Sequence, residues 1–203
     1  MEDAVGGDGT RARILHAARV VLAERGLATT VDDVAEAADL SRRTVFRAFA
    51  TRDRLIAEAV RDGIRSYAEH VPPPPAEPDL DRWLGAAMSA VHNLNVRHGR
   101  IYWELAGLGA QLEGEIATVA DERRRARLDF VNLFTTKAWQ AAGGRGLPPA
   151  WLGDACAIHL SAFSTRALTG DFDRSPDDVA TVCARTLAAA ARAAVAEQSA
   201  TLP

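Results

Sequence analysis

GLATTVDDVAEAADLSRRTVFRAFATRDRL, residues 26–55, reads as helix, tight turn, helix and the start of a third helix. Thr30 is placed to cap a first helix, and Asp33 stands three residues on, where a capping-box acid belongs. Val34, Ala35 and Ala38 share one face of that helix, leaving Asp32, Asp33, Glu36 and Asp39 outside. The pattern breaks at Ala38-Asp39-Leu40, and Ser41 offers a second cap. In the next helix Val45, Ala48 and Phe49 make an inner face, so that Arg42, Arg43 and Arg47 project outward. Thr51 can cap a further helix with Arg52 in its first turn.

Two short helices joined by so tight a turn let the second lie in the major groove of DNA. The charge agrees with that geometry. Residues 41–54 hold five arginines against one acid, a net of +4, whereas the preceding helix carries four acids and no base. Arginine near the start of such a helix can give paired hydrogen bonds to guanine, and Thr44 can reach a base edge or a phosphate. Arg52 is expected beside the DNA backbone, where it adds charge without sequence information.

The order Gly26, Thr29-Thr30-Val31, Val34-Ala35, Ala38, Ser41, Thr44, Phe46, Phe49, Arg52, Leu55 resembles the DNA-binding domain of the TetR (tetracycline-repressor-like) family over roughly residues 10–60. The resemblance implies an all-α homodimeric transcription regulator with a three-helix head and a larger ligand-sensing helical body. Thr30, Arg42, Arg43, Thr44, Phe46, Arg47 and Arg52 are the expected DNA contacts, Arg42, Arg43 and Thr44 at bases and Thr30, Arg47 and Arg52 at phosphates. Three positions depart from the family pattern. Asp39 replaces the usual turn glycine, Phe46 the common tyrosine and Ala48 the common histidine.

The chain has 203 residues, enough for one or two domains with a substantial core. Its net charge of −3 carries no global nucleic-acid signal, but a DNA binder needs only local positive charge. Arginine outnumbers lysine 23 to 1, a skew that reads as GC-rich coding rather than function. No uninterrupted run approaches the length of a membrane span, no apolar targeting segment opens the chain, and a cytoplasmic protein is the expectation. Cys156 and Cys183 lack metal-ligand spacing and read as reduced, buried thiols. The five histidines form no triad or metal pattern and no phosphate-binding glycine loop is present, so neither an enzyme nor a cofactor is expected.

Along the chain, residues 1–9 are expected as a disordered tail, residues 10–55 as the DNA-binding head and residues 56–198 as the body. A first helix is predicted over 10–25, ended by Gly26, and a linking helix from Thr51 to about Glu69. Pro72-Pro73-Pro74-Pro75 and Pro78 read as a stiff connector. Further helices are predicted over about 79–97, 100–108, 113–142, 150–169 and 176–197.

The resemblance implies an effector pocket in the body for a small, mostly apolar molecule. Candidate lining residues are Trp83, Met88, His92, Asn95, Tyr102, Trp103, Phe130, Phe134, Trp139, His159 and Phe163, although residues of these types at helical spacing are more often plain core. His92, Asn95 and His159 lead as orienting groups, because polar atoms on apolar faces demand partners. In the last helices Leu160, Phe163, Ala167, Val179, Val182, Cys183, Thr186, Leu187 and Ala190 suggest a four-helix dimer interface, or packing within one chain. The functional expectation is a repressor on a pseudo-palindromic operator, released by its effector. The alternative is a DNA-binding regulator controlled by a protein partner, or an activator.

Overall fold

A computed structural model describes residues 3–74 and 79–201. Among these residues every regular element is helical: α1 (Asp3–Arg25), α2 (Val31–Ala37), α3 (Arg42–Phe49), α4 (Arg52–His70), α5 (Leu80–Leu108), α6 (Gly114–Ala141), α7 (Ala150–His159), α8 (Ala162–Asp171) and α9 (Pro176–Thr201). The connector at Pro75 and Pro78 lies outside the described residues.

Helix α1 begins at Asp3, so residues 3–9, expected as a disordered tail, extend it instead. Lengthening a formed helix requires no new nucleus, which lets the chain continue helical through its glycines. The helices expected at 79–97 and 100–108 are one helix, α5. Gly99 is buried within it, and a single interior glycine weakens a helix by only about 1 kcal/mol. Conversely, the helix expected over 150–169 is two. Ser161 accepts a hydrogen bond from the Phe163 N–H and caps α8, while the Ser164 hydroxyl donates to the Ile158 carbonyl at the end of α7. Both new helix ends are thereby partnered.

Packing divides the chain into two compact units that do not follow its order. The first comprises residues 1–66 and 97–125. Its core joins Ile14, Ala18 and Leu22 of α1 to Val34 of α2, Val45 and Phe49 of α3, and Leu55, Ile56 and Val60 of α4. Ile101, Leu105, Ile116 and Val119, from the far stretch, complete it. Arg61 on α4 holds Glu122 on α6 by two hydrogen bonds, of 2.7 and 3.0 Å.

The second unit comprises residues 67–96 and 126–203. Leu84, Met88 and Val91 of α5, Phe134 and Trp139 of α6, Leu152 and Cys156 of α7, and Cys183, Leu187 and Ala191 of α9 form its core. Gly144 lies against the Trp139 indole, where an added Cβ would come within 2.1 Å of the ring. Over Pro176–Ala200 the mean hydropathy reaches 1.4, long and apolar enough for a membrane span by length and composition. No such span was expected, because charged residues interrupt every apolar run. The inward face of α9 closes the core of this unit, as a core helix does.

Candidate nucleic-acid interface and buried polar cluster

Local hydrogen bonding fixes the presentation of α3. Thr30 accepts from the Asp33 N–H while the Asp33 carboxylate accepts from the Thr30 N–H at 2.9 Å and from its hydroxyl at 2.8 Å. Those bonds hold the Asp33 carboxyl below the usual carboxylate range. Helix α2 then ends in a doubly bonded turn. The Asp39 N–H donates to the Glu36 carbonyl at 3.0 Å and the Leu40 N–H to the Ala35 carbonyl at 2.9 Å. The turn requires φ +50° at Asp39. Aspartate reaches this left-handed backbone at some energetic cost, so Asp39→Gly is expected to stabilise the protein by about 0.5–1 kcal/mol, measured as a rise in denaturation midpoint. An unchanged or lower midpoint would show that aspartate is unstrained there.

Ser41 opens α3, accepting from the Thr44 N–H at 3.2 Å and meeting the Thr44 hydroxyl at 2.9 Å. Val45 and Phe49 are buried, which turns Arg42, Arg43, Phe46 and Arg47 outward. The helix ends in a second tight turn. Ala50 takes φ +60° and ψ −47°, and the Thr51 N–H reaches back to the Phe49 carbonyl at 2.6 Å. That is a γ-turn, a strained conformation for alanine.

The basic residues differ in what they already hold. Arg42 pairs with Asp32 of α2 at 2.5 Å and lies over the Phe46 ring, 5.2 Å from its centroid. Among the described residues the side chains of Arg43 and Arg47 make neither an ion pair nor a hydrogen bond, and both are exposed. Arg52 behaves otherwise. It donates Nε to the Thr29 carbonyl at 2.7 Å, another nitrogen to the Leu27 carbonyl, and a third to Asp53 at 2.9 Å. Its guanidinium, expected at a phosphate, instead locks the turn before α2 onto α4. Sequence reading missed Arg11 as a brace: it donates to the Ala48 carbonyl at 2.9 Å, pairs with Glu58 at 2.6 Å and stacks on Phe49. Nothing in the local sequence marks that long-range role.

The expected effector residues divide between the two units. Tyr102 and Trp103 lie in the first, and Tyr102 packs on its core with burial raising its phenol to about 12. The others lie in the second. Trp83 donates to the Pro72 carbonyl at 3.0 Å and stacks on Phe134 at 4.9 Å, and Phe130 sits edge-on to Tyr67. Phe163, expected as lining, is instead 48% exposed, on a face of α8 away from its buried Ala162 and Thr165.

The polar residues converge. His92 Nδ1 lies 2.9 Å from the Thr165 hydroxyl, Asn95 donates to that hydroxyl at 3.0 Å, and the Tyr67 hydroxyl donates to Asn95 at 3.4 Å. Thr165 passes its own proton to the Ser161 carbonyl at 3.1 Å. Burial, with a smaller contribution from His159, lowers the His92 pKa to about 4. Burial also lowers His159.

The expected interface residues sort by face. Leu160, Val179, Cys183 and Leu187 lie in the core of their own unit, so they cannot also meet a partner across a surface. Phe163, Ala167, Val182 and Thr186 are exposed and Ala190 is half-buried. Ile158 and Trp151 of α7 are exposed as well.

A basic helix presented beyond a capped tight turn makes the head a helix-turn-helix of the DNA-binding class. Residues 14–59 match the model for bacterial regulatory proteins of the tetR family. The chain also resembles solved TetR-family regulators. One from Streptomyces coelicolor is 18% identical with a TM-score of 0.70, covering 97% of this chain and 90% of that one. One from Rhodococcus sp. Rha1 is 21% identical with a TM-score of 0.67, covering 95% and 99%. A third, AibR in complex with isovaleryl coenzyme A and operator DNA, is 18% identical with a TM-score of 0.62, covering 87% and 97%. No curated protein matches the sequence. The head of this chain therefore carries the DNA-binding domain of the tetR family's regulatory proteins, and the chain as a whole has the fold of the solved TetR-family regulators.

Proposed function

We propose that the protein is a homodimeric repressor whose two α3 helices enter successive major grooves of a pseudo-palindromic operator, and that a small, mostly apolar effector in the second unit releases it. The observation that carries the DNA half is the state of α3: Arg43 and Arg47 stand exposed with no protein partner among the described residues. Arg43 and Thr44, near the helix start, read bases. Arg42 joins them when DNA competes for it with Asp32, and Phe46 presents an apolar ring to a thymine methyl. Arg47 and Thr30 serve phosphates, while Arg52 supports them by bracing the turn.

The effector half rests on the polar cluster around Thr165, set within an otherwise apolar core, and on the likeness to AibR, whose structure holds both an acyl coenzyme A and operator DNA. A regulator answering to a protein partner, or an activator, has no observation in its favour comparable to that cluster.

Selection of bound duplexes from a random pool tests the DNA reading: an enriched pseudo-palindrome supports it, and equal binding to every sequence overturns it. On the selected operator, Arg43→Ala is expected to lose about 1–3 kcal/mol of binding free energy and to relax preference at one base pair in each half-site. Equal weakening on all sequences would make Arg43 a phosphate contact.

A further inference from the structure

The donor and acceptor roles around Thr165 follow from proton counting. A hydroxyl has one proton, and that of Thr165 goes to the Ser161 carbonyl. With that bond back to its own helix kept, its lone pairs face Asn95 Nδ2 and His92 Nδ1, and this network assigns a proton to Nδ1. A neutral imidazole protonated at Nδ1 has a bare lone pair at Nε2. That Nε2 is fully buried and has no hydrogen-bond partner. An acceptor held out of water without a donor costs about 1–3 kcal/mol, which a bound donor would recover.

We infer that His92 Nε2 is the recognition atom for the effector, and that the effector is an uncharged, largely apolar molecule carrying a hydroxyl or N–H donor. This rests on reading the second unit as the effector-binding half. The residues that converge here, Thr165, Asn95, Tyr67 and His159, include no carboxylate, so nothing in the cluster balances a cationic ligand. An ionised carboxylate would set its own lone pairs against that of Nε2. Met88 and Val91, on the same helix, belong to the apolar core of this unit and would give affinity without orientation. Sequence alone makes His92 an orienting candidate; the bonds of Thr165 fix which way it orients.

Two measurements on the full chain test this. In protein labelled with ¹⁵N histidine, NMR of the His92 ring should show a protonated Nδ1 and an unprotonated Nε2 before any ligand is added. Titration with n-octanol and its isomer heptyl methyl ether, and with para-propylphenol and para-propylanisole, should then favour each donor by about tenfold, with the His92 Nε2 resonance moving only for the donors. His92→Phe should reduce that preference to less than about threefold while still admitting both members of each pair. If His92→Phe does not fold, the wild-type Nε2 resonance carries the test. A protonated Nε2, equal binding of donor and ether, or no movement of Nε2 at saturation overturns the inference. Failure of the repressor reading looks different: the donors move Nε2, yet operator affinity does not change.

Discussion

Val182→Arg is expected to yield a folded monomer whose operator affinity falls by a factor of about a hundred or more. Helix α9 buries Val179, Cys183, Leu187 and Ala191 in its own unit, and its other face is the one assigned to the proposed partner subunit. Val182 is 55% exposed on that face, with Thr186 also exposed and Ala190 half-buried along it. Helices α7 and α8 pack against α9 and bring exposed Ile158 and Phe163. In a twofold interface one substitution introduces two arginines, which must shed water and repel each other. The core is untouched, so helicity should persist. Two linked heads bind as one unit with an effective-concentration gain of about 10²–10⁴, which a monomer forfeits. Light scattering checks the mass and operator titration the affinity. A variant that is still dimeric would move the interface away from this face.

Gly26→Ala is expected to destabilise the protein by about 2–4 kcal/mol, and adding Glu104→Ala in the same chain to cost little more, because the displaced carboxylate has already lost its bonds. Gly26 adopts φ +56°, which costs an alanine about 1–2 kcal/mol on its own. A Cβ there would also stand 2.0 Å from the Glu104 carboxylate. That carboxylate accepts from the Leu27 N–H at 2.6 Å and from Arg100 at 3.0 Å, so displacing it breaks a charge-assisted bond worth about 1.5–3 kcal/mol. Denaturant unfolding of the single and double variants separates the two contributions. If Glu104→Ala costs as much in the Gly26→Ala background as in the wild type, the carboxylate keeps its bond and the backbone alone accounts for the loss.

The head was legible because its signals are local. A side-chain cap at Thr30 or Ser41 involves atoms three residues apart, and the face shared by Val45 and Phe49 is one turn of helix. The turn at Asp39 was legible where the apolar pattern breaks and, by resemblance, where the family usually carries a glycine. What sequence missed depends on neighbours far along the chain. Arg11 and Arg52 look like any surface arginine until Ala48 or Leu27 presents a carbonyl to them. Gly99 and Ser161 mislead in opposite directions: burial carries the helix through the glycine, whereas a serine side chain satisfies the ends of a break that apolar periodicity does not show. For His92 the residue was legible and its proton was not, since the tautomer depends on Thr165, distant in sequence.

The two-stretch composition of the first unit bears on how reading heads can be exchanged between regulators. A cut near residue 60 would look natural on the chain map, just past the helix-turn-helix. The transplanted piece would arrive without Ile101, Leu105, Ile116 and Val119, and without the Glu104 carboxylate that anchors the Leu27 amide. Its apolar floor would be open to water or sealed by a host surface shaped for a different head. A workable chimera has to carry residues 97–125 along with the N-terminal helices. For the same reason, recombination that shuffles only the first helices would tend to produce a destabilised hybrid, tying the inheritance of operator choice to that of a segment much further along the gene.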